Sequence, residues 1–160
     1  MFKKIKSLLL ITLVVGGSVV GCGKTTDVNK DKAKVTLVLS VGGVNDQSFN
    51  QGAWEGAKEA AEELGVEVSY LESNSDADYM QNIETAVDED ADLVVGVGFQ
   101  LGDAIKEAAE AYPEQSFAII DSTYDEVPEN VRCITFNEEQ AGYAAGLVAS
   151  KMTKTGKVGF

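Results

Sequence analysis

The stretch Val35–Ala57, VTLVLSVGGVNDQSFNQGAWEGA, decides how the chain folds. It opens on a β-branched and aliphatic run, Val35 to Val41, of the kind that makes a strand buried on both faces. Gly42 and Gly43 break that run, and Asn45, Asp46, Gln47 and Ser48 make a polar turn. From Phe49 the period is helical, with Phe49, Ala53, Ala57, Ala60 and Leu64 on one stripe. A strand passing through a tight turn into a helix is where open α/β sheets hold ligands, beyond the strand's carboxyl end. This turn carries the Asp46 carboxylate, the Asn50 carboxamide, the Ser48 hydroxyl and the Phe49 ring, a set suited to a planar, polar small molecule. The same residues also read as structure. Asn, Asp and Ser at a helix start are ordinary N-caps, and Phe49 fits a core stripe.

The elements that follow repeat the first unit. Gly65 ends the helix, and Glu67–Leu71 alternates as a short strand. Tyr79, Ile83, Ala86 and Val87 mark a second helix, and Leu93–Val97 a third strand. Ile105, Ala108, Ala109 and Tyr112 mark a third helix, stopped by Pro113. Ser116–Ile120 and Val131–Phe136 read as strands, a helix runs from Asn137–Glu139 to about Met152, and Lys157–Phe160 reads as the start of another strand. This alternation with short connections predicts an α/β fold: a doubly wound parallel sheet with helices on both faces. Gly142 and Gly146, four apart, predict close packing of the last helix on a neighbour.

Ahead of this unit, Met1–Lys6 is short and basic and Ser7–Val20 is apolar, too short for a comfortable membrane span. Residues 1–21 therefore read as a signal peptide. It ends Val19-Val20-Gly21-Cys22, which resembles the lipobox of bacterial lipoproteins, where the Cys becomes the acylated N-terminus. Two or more acyl chains hold a protein stably on a membrane, so Cys22 is the expected lipid attachment point. Residues 22–34 are polar and Lys-rich and read as a tether, and 35–160 as the folded lobe. Cys133 is left alone in the lobe, and a buried free thiol is expected.

Composition excludes several chemistries. The 160 residues contain no His, which removes Ser–His–Asp and Cys–His catalysis and imidazole metal sites. The net charge is −13, and 24 of the 26 acids but only six of the 13 basic residues lie from Val35 onward. So acidic a lobe is no nucleic-acid binder. There is no GxGxxG, no Walker-type Gly-Lys-Ser/Thr following any predicted strand, no GxSxG elbow and no EF-hand spacing. No metal or cofactor is expected.

Three loops leave the carboxyl ends of the predicted strands: Gly42–Asn50, Gly98–Gly102 and Asp121–Tyr124. In a parallel sheet these tips share one edge, so Asp46, Ser48, Phe49, Asn50, Phe99 and Asp121 could face one cleft. A purine needs apolar contact on its faces, which Phe49 and Phe99 offer, and donors and acceptors on its rim, which Asp46, Asn50 and Asp121 offer.

Gly43-Val44-Asn45-Asp46-Gln47-Ser48-Phe49-Asn50-Gln51 resembles the opening motif of the basic membrane protein family of bacterial lipoproteins. So do Val95–Phe99, the Phe117–Asp121 strand ending in Asp, and Phe136–Gly146. The resemblance implies the first lobe of a type I periplasmic-binding-protein fold, in a nucleoside-binding subunit of an ABC importer, the purine nucleoside receptor A type. It implies a nucleoside ligand, ABC permease partners, and a lipid anchor at the extracytoplasmic face of the cell membrane. It also implies that Phe49 stacks on the base, that Asp46, Asn50 and Asp121 make polar contacts, and that Ser48, Gln51 and Phe99 join them. Family members are about twice as long, with two lobes that close on the ligand. A 160-residue chain alone is then expected to bind nucleoside weakly or not at all. Two other readings stand beside this one: a ligand-sensing or partner-binding lipoprotein without transport, and a nucleoside hydrolase using Asp carboxylates.

Overall fold

The computed structural model describes residues 32–159. The segment read as a signal peptide, Cys22 and most of the tether lie outside the described residues. Five strands, β1 (Lys34–Leu39), β2 (Glu67–Leu71), β3 (Leu93–Val97), β4 (Ser116–Ile120) and β5 (Val131–Ile134), form one parallel sheet in the order β2-β1-β3-β4-β5. The helices are α1 (Phe49–Leu64), α2 (Asp78–Asp88), α3 (Gly102–Ala111) and α4 (Glu138–Met152). From β1 the chain first steps outward to β2, then crosses back to β3 on the other side of β1. Strand order therefore reverses between β1 and β3, the place where loops part and leave a crevice.

Period-two alternation in each strand sends side chains to two separate cores. Val38, Val94, Phe117 and Ile119 pack against Tyr79, Ile83 and Ala86 of α2 and Ile105, Ala108 and Ala109 of α3. On the opposite face Leu37, Leu39, Val95, Val97 and Ala118 meet Ala53, Trp54 and Ala57 of α1. Ile83, Ile105, Phe117 and Ile119 are fully buried, each such side chain contributing about 1.5–3 kcal/mol. The doubly wound arrangement with helices on both faces is thus present.

Register sets up the functional edge. Leu39 lies opposite Val97, Val97 opposite Ile120, and Ile120 opposite Ile134, so four strands end side by side. The residues that follow, Ser40, Gly98, Asp121 and Thr135, all leave from one rim.

Several boundaries differ from the sequence expectation, each for a local reason. β1 stops at Leu39 and not at Val41, because the Asn50 side chain takes both the N–H and the C=O of Ser40 out of the ladder. β5 stops at Ile134, and Thr135 and Phe136 stand exposed. The expected strand from Lys157 is absent over residues 157–159. α4 forms as expected, yet none of its residues is buried, and a Cβ added at Gly142 or Gly146 would meet nothing within 4 Å. The close packing predicted from that Gly spacing is therefore not made. In α1, Ala53, Ala57 and Ala60 are half-buried as expected, but Leu64 at the end of the stripe is 74% exposed. Trp54 instead anchors that face, its ring 4.8 Å from Tyr70. Cys133 is a free thiol, half-buried and not fully buried.

Candidate functional site: the carboxyl rim of the sheet

The loop from β1 to α1 is held by its own polar side chains. Asp46 sits two residues ahead of the helix N-cap, Ser48, and does the capping that the Ser48 hydroxyl does not. Its Oδ1 accepts the N–H groups of Ser48 (2.9 Å) and Gln51 (3.1 Å), and its Oδ2 accepts that of Asn50 (3.0 Å). Partial desolvation pushes the Asp46 carboxyl up, but these donors outweigh it and hold the group below the usual carboxylate range. A carboxylate at a helix start also meets the positive end of the macrodipole. Asn50 is 1% exposed and clasps Ser40: its Oδ1 accepts from the Ser40 N–H (3.2 Å) and Oγ (3.1 Å), and its Nδ2 donates to the Ser40 C=O (3.1 Å). The capping alternative open in the sequence is thus realised for Asp46, while Asn50 stitches the helix to β1.

Phe49, between these two, turns outward and is 40% exposed. Its ring meets Phe136, which follows β5, edge to face at 88°, with centroids 6.1 Å apart. Ser48, Phe49, Gly52 and Ala53 from the start of α1, with Ile120 and Phe136 from the strand ends, line a crevice of about 350 Å³. Its walls are mostly apolar side chains and its mouth lies on the carboxyl rim.

The other sequence candidates surround this crevice without all entering it. Asp121 follows Ile120 directly, half-buried, in a left-handed backbone conformation (φ 66°). Its N–H donates to the Ile134 C=O at 2.7 Å, and its carboxylate accepts no hydrogen bond among the described residues. The loop beyond it is tied down by Tyr124, whose hydroxyl donates to the Gly102 C=O at 2.7 Å. Phe99 is 63% exposed beyond β3, next to Gly98, whose φ of 101° favours glycine. Phe99 does not line the crevice. Gln51 points along the helix, its Nε2 donating to Glu55 Oε1 at 2.9 Å. Sequence reasoning did not single out Phe136 or Ile120. The run Val131–Phe136 reads as one strand in the sequence, but β5 ends at Ile134, so the alternation does not reveal that Phe136 is exposed.

Fold and rim together define a class: a doubly wound α/β lobe with an aromatic-walled crevice at the carboxyl edge of its strands, the form of a solute-binding lobe. Residues 33–160 match the family described as ABC transporter substrate-binding protein PnrA-like, and the chain belongs to that family. It is 41% identical to the CD4+ T-cell-stimulating antigen of Listeria innocua over 173 aligned positions, covering 100% of this chain and 48% of the relative. It is 37% identical to the ABC transporter nucleoside-binding protein BmpA of Lactococcus lactis, again with 100% and 48% covered. Among solved structures it is similar to an ABC transporter solute-binding protein from Aeropyrum pernix (TM-score 0.69, 36% identity), over 74% of this chain and 32% of that one. The chain spans about half the length of the curated relatives it matches.

Proposed function

We propose that this chain is the nucleoside-binding lobe of a lipid-anchored, extracytoplasmic solute-binding protein that delivers its ligand to an ABC permease. The observation that carries this reading is the crevice walled by Phe49 and Phe136 on the carboxyl rim. A nucleobase is flat and apolar on its faces, and its edge carries donors and acceptors. The Phe49 ring offers the stacking face, and the Asp121 carboxylate, beside Ile120, accepts from a ring N–H or a ribose hydroxyl. Ser48 offers a hydroxyl to the same ligand. Asp46 and Asn50 contribute by holding the loop, with Gln51 and Phe99 at the margin. The Lactococcus relative, named a nucleoside-binding protein, points to the same ligand class.

In a chain of the relatives' full length a second lobe would face this rim, and ligand would be captured by hinge closure between the two. Acyl chains on Cys22 and residues 22–34 would tether the lobe to the membrane. No bond is made or broken in such a cycle. Calorimetric titration with inosine or guanosine tests the reading. Tight binding by a two-lobed version and weaker binding by this chain alone are expected; micromolar affinity in the lobe alone would refute the need for a facing lobe. Incubation with inosine is expected to release no hypoxanthine, and release would establish hydrolysis instead.

A further inference from the structure

The bend between β1 and α1 rests on a residue that follows a different strand. Glu72, the first residue beyond β2, reaches across so that its Oε1 accepts the Val44 N–H at 2.7 Å. From Gly42 to Asn45 no other backbone group has a hydrogen-bond partner among the described residues. The glycine before Val44 is shaped to this contact. A β-carbon at Gly43 would lie 2.8 Å from Glu72 Oε1, and Gly43 has a φ of +70°. Glu72 is itself held from behind, since its C=O accepts from Asn82 Nδ2 (3.1 Å), which also donates to the Oγ of buried Ser73 (2.9 Å). Its side chain is exposed and fills no core space.

We infer that Glu72 is a positioning residue of the ligand-binding loop, an inference that rests on the nucleoside-binding reading above. It does not touch ligand. Its carboxylate fixes the bend at Gly43–Val44, and that bend sets where Asp46 caps α1 and where Phe49 projects into the crevice. A charge-assisted bond at one point replaces the backbone ladder that the loop lacks.

The test compares wild type, Glu72→Ala, Glu72→Gln and Gly43→Ala by amide exchange and by inosine titration followed through backbone NMR shifts. Glu72→Ala is expected to speed exchange of the Val44 amide by about tenfold or more, the loss of a hydrogen bond to a charged acceptor. It is expected to weaken inosine binding by a comparable factor while core amides of β3 and β4 keep their wild-type exchange. Glu72→Gln, which keeps a carbonyl acceptor at the same reach, is expected to restore most of both. Gly43→Ala, which drives the carboxylate out, is expected to behave like Glu72→Ala. A Val44 amide that exchanges at the wild-type rate in Glu72→Ala would overturn the inference. So would wild-type inosine affinity in that variant when Phe49→Ala has lost it, an outcome that leaves the site itself standing. Absence of inosine binding by the wild type would sink the nucleoside reading and the role of Glu72 with it, whatever the exchange rates.

Discussion

Asp46 accepts three backbone N–H groups at the head of α1, and this decides what the residue offers a ligand. Its carboxyl is held below the ordinary value of 3.8, so the stability it contributes is present above that pH and is lost as pH falls through the depressed folded value. Thermal melts of wild type and Asp46→Asn are expected to differ most near neutral pH and to converge in acid; a constant gap would assign the group no titrating role. Tyr124 has the opposite sign. Burial first, then the neighbouring Cys133 and Asp103 charges, push its hydroxyl up to about 12. Its contribution is complete below the unfolded value of about 10 and is lost as pH rises through the folded one. Phenolate absorbance should show a late-ionising tyrosine that Tyr124→Phe removes. Phe49→Ala is expected to cost about 1–3 kcal/mol of nucleoside affinity if the ring stacks on a base. Unchanged affinity would place the site elsewhere. At this scale the sequence was informative about residue type and silent about direction. Asp, Ser and Asn before a helix mark a cap or a ligand contact equally well, and only the distances show that Asp46 faces its own backbone and Asn50 faces Ser40. Phe136 was illegible because exposure at a strand end leaves no periodic trace.

Elements were legible wherever burial imposed a period. β2, β3 and β4 coincide with the runs read from the sequence, β3 and β4 because strands covered on both faces are largely apolar, and β2 because an edge strand with one exposed face alternates. The starts of α1 and β5 were legible too, but the ends of β1 and β5 were not. What ended β1 was a side chain ten residues away, Asn50, which no local pattern records. Gly96 shows how tightly β3 packs on α3. A β-carbon there would lie 2.8 Å from Ile105 Cγ1 and 3.4 Å from Leu101 Cβ. Gly96→Ala is therefore expected to cost about 1–3 kcal/mol by chemical denaturation, through overpacking. Combined with Ile105→Ala, which vacates that space, the loss should be smaller than the sum of the two single losses. Simple additivity would show that the strand moves aside instead. α4 marks the limit of pattern reading. Its Gly and Ala spacing and its apolar residues Tyr143, Leu147, Val148 and Met152 announce a packed helix, yet all four stand exposed.

The whole molecule places four strand ends on one rim and a reversal of strand order between β1 and β3, so that residues far apart in the chain converge. That convergence was legible from the βαβ alternation, since parallel strands with short crossovers leave no other edge for their carboxyl-end loops. Which loops would actually form a wall was not, because it depends on where each strand stops. On the proposed reading, the crevice between Phe49 and Phe136 receives the base of a nucleoside. Chemical-shift mapping of this chain in millimolar inosine tests it most directly, since weak binding by a single lobe still moves the resonances it touches. Saturating shifts at Ser48, Phe49, Gly52, Asp121 and Phe136 are the expected result. Shifts confined to the opposite edge, around Lys34, Glu67 and Asp92, or no shifts at all, would contradict it.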